Sequence, residues 1–380
     1  MPDQMQEGRP RAADVITMFL CGDVMTGRGI DQVLPHPGEP RLFERDAKSA
    51  REYVELAEMI NGPIPRPVDF AYVWGEALDE FRRVSPDVRV INLETSVTRS
   101  EDYLPKGINY RMNPENVTCI TLAGIDCCVL ANNHALDWGC RGLLETLETL
   151  ERANVKTAGA GGNLRAAAAP AVLEVSVKGR VLVFSFGSTT SGIPHDWAAA
   201  ERRPGINLLE DLSERTATRI VHAVREAKRP GDVAIASIHW GENWGYQVPA
   251  EQRRFAHALI DIAAVDVVHG HSSHHAKAIE VYKSKAILYG CGDFLTDYEG
   301  IAGYEEFRDD LVLMYFLDVD TRSGDLRRLR MVPLHIRRFR LERASPGDSE
   351  WLRGTLDREC RKFGARVEPG DHDDLTLTWA

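Results

Sequence analysis

Six short apolar runs in this chain each end in a polar cluster rich in His, Asp, Glu or Asn. They are VITMFLCGDVM (15–25), VRVINLETS (88–96), DCCVLANNHALD (126–137), DVAIASIHWGEN (232–243), DVVHGHSSHH (266–275) and AILYGCGDF (286–294). A short β-rich apolar run reads as a buried strand, and the polar cluster marks where that strand leaves its sheet. The pattern predicts strands over 15–21, 88–93, 126–131, 154–158, 233–238, 266–269, 277–282, 286–290 and 311–319, with a hairpin over 171–186. Helices are predicted near 44–60, 74–83, 140–153, 211–229, 249–264 and 348–363; Phe255, Leu259, Ile260 and Ile262 form an apolar stripe on the fifth. Strand 126–131, helix 140–153 and strand 154–158 make a βαβ unit, which favours a parallel sheet. The fold class is α/β.

Between these elements lie three irregular stretches, 31–67, 97–118 and 187–210. The first is rich in proline and reads as a lid or substrate loop. The expected organisation is a flexible leader over 1–13, a main domain over 14–342 carrying the three inserts, and a C-terminal helical extension over 343–380. GAGGN at 159–163 lacks the spacing and ending of a phosphate loop and reads as a turn.

Composition narrows the function. Against 57 Asp and Glu stand 46 Lys and Arg, a net charge of −11, so no nucleic-acid partner is expected. The basic stretch Arg327, Arg328, Arg330, Arg337, Arg338 and Arg340 reads as solvated strand and loop faces. No apolar run approaches the ~20 residues that span a bilayer, and the polar N-terminus lacks a secretory core. Seven cysteines without CxxC spacing form neither a disulfide framework nor a zinc finger. A cytoplasmic protein without a membrane partner is expected.

The polar clusters carry the chemistry. Asp23 follows a strand beside glycine, where a cation can approach closely. Glu94 ends an apolar strand and calls for a cation or hydrogen-bond donors. Asn133 offers a carbonyl ligand, and His134, with Asp137 behind it, can ligate or move protons. His239 ends its strand with Trp240 and Glu242 behind it. His269, His271, His274 and His275 crowd into one short segment; His269 and His271 share a face, and His274 can swing back to them after a turn. Asp293 and Asp297 can orient a histidine from behind or meet substrate. Trp138, Trp240 and Trp244 either line an apolar pocket or pack in the core. Each cluster alone also reads as turn or cap chemistry; together, at strand ends, they read as one site at a sheet edge.

The motifs GDVMTGRG, NLETSVT, NNHALDWG, HWGEN, GHSSHHAKAIEVY and LYGCGDF, in this order over about residues 15–320, resemble the CapA family, first associated with poly-γ-glutamate capsule synthesis. The resemblance implies a calcineurin-like metallophosphatase fold, a four-layer α/β/β/α sandwich with inserted loops. It also implies a divalent metal ion (Ca, Mn or Zn) held by Asp23, Glu94, Asn133, His239, His271 and His274. One position keeps Glu94, Asn133, His239 and His271. The other keeps Asp23, Glu94 and His274 but has Met25 where the family has a histidine, which weakens a two-metal mechanism. A soluble branch of the family resembles peptide epimerases of lasso-peptide maturation. The expected function is therefore metal-dependent inversion of a Cα centre in a peptide substrate. His134, His239, His271, His274 and Asp23 would be catalytic, with Asp137, Glu242, Asp293 and Trp240 behind them or at the substrate. The alternative is a CapA-type metal-dependent hydrolase of a phosphoester or of a peptide or polyglutamate; a third reading is a binding module that kept the fold and lost catalysis.

Overall fold

The strand Val15–Val24 is the organising element. Its residues alternate between two apolar environments, so both of its faces are covered. Ile16, Met18 and Leu20 pack with Val181, Val183, Val233, Ile235 and Val267 of a second sheet. Phe19 and Cys21 belong to another cluster, with Phe81 of helix Ala77–Val84 and with Leu143 and Leu150 of helix Gly139–Arg152. The computed structural model describes residues 14–261 and 265–380. The expected leader over 1–13 and the last turn of the helix expected over 249–264 lie outside the described residues.

Among the described residues the larger sheet has ten strands. Val15–Val24 runs parallel to Val88–Leu93, which is followed in turn by Cys127–Val129 and Lys156–Ala158, all parallel. On its other side it pairs antiparallel with Leu311–Asp320, then Leu326–Arg337. Asp293–Leu295 lies parallel beside its C-terminal end. The second sheet has six strands, in the order Ile279–Tyr282, Lys285–Leu288, Val267–His271, Val233–His239, Gly179–Gly187 and Ala171–Val175. Its outer face, through Leu182, Phe184, Ala234 and Ala236, packs on helices Glu214–Ala227 and Ala250–Asp261. The two sheets thus share a core, and helices cover the far face of each. Each large aliphatic side chain buried there contributes about 1.5–3 kcal/mol.

The expected hairpin is Ala171–Val175 with Gly179–Gly187. Within the first irregular stretch, helix Ala50–Asn61 begins at a Ser49–Glu52 capping box and ends at Gly62. The tail departs from the expected helical extension. Helix Pro346–Cys360 is there, but Ala365–Pro369 and Leu375–Trp379 form a hairpin that joins the large sheet through Leu326–Arg337. That last strand was hidden in the sequence because arginines interrupt it; Leu329, Met331, Leu334 and Ile336 are nonetheless buried. Among the described residues no helix is long and apolar enough to cross a membrane.

Candidate functional site

Parallel strands of both sheets end on the same edge, and the polar clusters meet there. Register places Asp23 opposite Asn92 on one side and Asp293 on the other, and His239 opposite His271. Glycine is obligatory at position 22, where a Cβ would lie 1.6 Å from the Gly292 carbonyl oxygen. The next amide, that of Asp23, donates to this oxygen at 3.0 Å. After His271 the chain turns at Ser272 with φ +100°, a strained value for a side-chain-bearing residue. The Ser272 amide donates to Asp23 Oδ2 at 3.2 Å, and the turn brings His274 back so that its Nδ1 lies 2.9 Å from Asp293 Oδ1.

A chain of hydrogen bonds sets the tautomers of the buried histidines. His269 Nε2 lies 2.8 Å from the Cys21 carbonyl oxygen, which can only accept, so this nitrogen carries a proton. Burial pushes His269 down to about 4, so the ring is neutral and its Nδ1 is a bare acceptor. Ser237 Oγ, 3.0 Å away, donates to that nitrogen. The same oxygen then accepts from His271 Nε2 at 2.9 Å, which leaves His271 Nδ1 with a free lone pair. His239 Nε2 meets Asn133 Oδ1 at 2.9 Å and so carries its proton there. The Nδ1 atoms of His239 and His271 therefore face each other at 2.8 Å, with Asp23 Oδ1 3.9 Å from His271 Nδ1. Two lone pairs at that distance repel unless a cation or a shared proton lies between them.

The carboxylates state the same need. Burial, then neighbouring Asp293, pushes Asp23 up to about 7, while burial and Asp23 push Glu94 well above the usual range. Burial also raises Asp293, whose Oδ2 is buried without a hydrogen-bond partner. Burial drives His239 and His271 well down, whereas Asp293 and Asp23 outweigh it at His274, which is raised. Donor atoms of Asp23, His239 and His271, and of Asp23, His274 and Asp293, form two groups, each within 4.8 Å. Mixed imidazole and carboxylate donors suit Zn or Mn, and the added oxygens of Glu94 and Asn133 would also serve a harder ion. The residues fit a divalent cation.

His134 stands at the open side. Its Nδ1 is 2.7 Å from Asp137 Oδ2 and its Nε2 is 3.7 Å from Glu94 Oε1. Burial pushes it down to about 4 against the pull of Asp137, so it is a neutral imidazole with Nε2 turned to the site. Lys106, from the second irregular stretch, reaches Asp137 Oδ1 at 2.8 Å and also donates to the Asn133 carbonyl. His134, Asn133, His239, Glu94 and Lys106 line a cavity of about 460 Å³.

Asp23, Glu94, Asn133, His134, Asp137, His239, His271, His274 and Asp293 therefore all converge. Trp240 does not: it follows His239 on the opposite face of its strand, its indole is buried against Phe255, and Nε1 donates to the Tyr289 carbonyl. Glu242 is exposed and lines neither this cavity nor the larger one beside it. Trp138 is also core, whereas Trp244 lines the larger cavity. His275 packs against both Phe307 and Trp244, and Asp297 is taken by Arg28. Sequence reasoning missed Asn92, whose amide donates to Asp23 Oδ1 at 2.7 Å and Glu94 Oε2 at 3.3 Å. Strand alternation was the available signal, since residues 92 and 94 share a face. Lys106 and Ser237 were missed as well and carried no comparable signal.

Comparison with known proteins places this arrangement in context. The family described as bacterial capsule synthesis protein PGA_cap matches residues 17–298. A probable polyglutamine synthesis accessory protein of Mycobacterium tuberculosis (strain H37Rv) is 49% identical over 356 residues, covering 93% of both chains. The PGA biosynthesis protein CapA of Bacillus subtilis is 28% identical over 374 residues, covering 95% of this chain and 84% of its own. The capsule biosynthesis protein CapA of Bacillus anthracis is 24% identical over 330 residues, covering 86% and 69% respectively.

Proposed function

Because the chain belongs to the bacterial capsule synthesis protein family PGA_cap, we propose that it is a CapA-type metal-dependent hydrolase acting on an amide bond of a polyglutamate-like polymer. The observation that carries this is the pair of bare imidazole nitrogens 2.8 Å apart, set among three buried carboxylates and open to a cavity through His134. The two facing sheets, each with helices on its far side, support the four-layer α/β/β/α reading. The polymer comes from the names of the relatives. Those names, which speak of capsule and PGA synthesis, fit the CapA-type reading better than the epimerase reading, for which the comparisons offer no support.

Asp23, Glu94, Asn133, His239, His271 and His274 would hold the cation. A divalent ion there supplies Lewis-acid polarisation of a substrate carbonyl oxygen. His134, neutral and oriented by Asp137, is placed to give or take a proton at Nε2 on the cavity side. Lys106 completes that support by holding the other oxygen of Asp137. Trp197 lies under the lysine, 5.3 Å from Nζ to the ring centre, so two irregular stretches meet at this residue.

The test is incubation of the metal-assayed protein with poly-γ-glutamate, in deuterium oxide, with chain length followed by size exclusion. Shortening that is abolished by a chelator and reduced about 10²–10⁴-fold in His134→Ala, with that variant's thermal transition intact, is the expected result. Cα deuterium uptake in peptides without cleavage would return the epimerase. Release of phosphate from generic esters, with the polymer untouched, would leave the metal site and move the substrate class.

A further inference from the structure

Beside the metal-ligand cluster lies a larger cavity of about 760 Å³, which shares His274, Tyr298, Asn243 and Ile108 with the smaller one. Whatever fills it sits next to the reacting group. Helix Ala50–Asn61 supplies Leu56 and Met59 to its wall, and Trp244 and Tyr304 supply a stacked aromatic pair with centroids 3.9 Å apart. Met59, Ile108, Ile301 and Tyr304 are exposed at its mouth.

The charges in this wall are unbalanced. The Arg28 guanidinium is consumed by Asp297, at 3.1 and 2.5 Å, and by Glu44 at 3.1 Å. Arg45 stands beside Asp46, and His274 is held by Asp293. Among the described residues Glu52, Glu55 and Asp309 form no ion pair; His274, already held by Asp293, is the cation whose charge reaches Asp309. Glu52 accepts backbone amides of Lys48 and Ser49 at the start of its helix. Asp309 is half-buried, and among the described residues it makes no hydrogen bond or ion pair with another side chain. Aromatic faces and an unpaired carboxylate in one cavity complement a cation on an apolar stem and oppose an anion.

We propose that this cavity binds an alkylammonium ligand separate from the polyglutamate chain, with the charge at Asp309 and the stem along Trp244 and Tyr304. This occupancy rests on the hydrolytic reading only for its place beside the reacting bond. A polyglutamate chain would then lie on the His134 side and keep its carboxylates out of the larger cavity.

Three probes with one six-carbon stem test it: hexylammonium, hexanol and hexanoate, each titrated into the metal-loaded full-length protein. Binding is read from indole N–H resonances, with Trp244 assigned through Trp244→Phe. Hexylammonium should bind saturably and about tenfold more tightly than hexanol, with hexanoate weakest. Asp309→Asn should bring hexylammonium to the level of hexanol, and Glu226→Gln, on an exposed helix face elsewhere, should change nothing. Hexanoate binding as tightly as hexylammonium, an unchanged preference in Asp309→Asn, or no saturable binding of any probe would overturn the proposal. Because no turnover is read, failure of polymer cleavage would leave this result standing, and the reverse also holds.

Discussion

Ser237→Ala tests the proton chain that prepares His271 to hold a cation. The Ser237 hydroxyl is fully buried and joins His269 Nδ1 at 3.0 Å to His271 Nε2 at 2.9 Å. Removing it strands one imidazole lone pair and one imidazole N–H in the shared core of the two sheets. Each orphaned group costs about 1–3 kcal/mol, so the chelator-treated variant should lose about 2–6 kcal/mol of stability in urea unfolding followed by tryptophan fluorescence. The second consequence is chemical. Without an acceptor at Nε2, His271 is free to carry its proton on Nδ1, where that proton competes with the metal. Loss of such an outer partner lowers metal affinity about 10–100-fold, measurable by competition with a chromophoric chelator. Ser237→Thr keeps the hydroxyl and should keep the affinity, at an overpacking cost of about 1–3 kcal/mol. The reasoning fails if Ser237→Ala matches the wild type in metal affinity and lies within about 0.5 kcal/mol of it in stability, as an ordinary surface change would.

Gly22→Ala forces a methyl against the Gly292 carbonyl oxygen, 1.6 Å from its ideal position, and should cost about 3 kcal/mol or more together with the bound metal; normal melting and metal content would refute the close approach. Arg28→Met leaves Asp297 and Glu44 buried without their cation and should lower stability by about 3–5 kcal/mol, part of it recovered when Asp297→Asn is added. At His335, the hydrogen bond to Asp310 outweighs burial and raises the imidazole above its usual range. A base raised in the folded state stabilises fully below its unfolded value of about 6.5 and loses that contribution as pH rises through the folded value. The unfolding free energy from urea titrations should therefore fall between about pH 6 and pH 8 by less than about 1 kcal/mol in the wild type, and this part of the slope should vanish in His335→Gln.

Much of the site was readable because its strands are short, apolar and end abruptly. Asp23, Glu94, Asn133, His134, His239 and His271 all stand where a β-forming run gives way to polar residues, and a buried strand has little freedom in where it stops. Helix Gly139–Arg152 and its flanking strands were legible from local periodicity for the same reason. The arginine-studded strand Leu326–Arg337 was not, because its apolar face shows only once a partner strand is in register on each side. Trp240 misled because proximity in sequence to His239 says nothing about facing; adjacent strand residues point oppositely.

What the sequence determined by itself is local: which runs are strands, where they end, and which metal-suited side chains stand at those ends. Pairing between distant segments decided the rest. Local periodicity does not separate the four histidines of HGHSSHH; only the family resemblance singled out His271 and His274. The carbonyl of Cys21, from the other sheet, makes His269 structural, and Ser237, from the neighbouring strand, bares His271 Nδ1. The strained Ser272 turn returns His274 to Asp293, while Phe307 claims His275. Each partner lies at least 19 residues away along the chain, apart from the turn itself. A hydrogen bond of this kind has no imprint on local periodicity, because it exists only after two sheets have closed on one another.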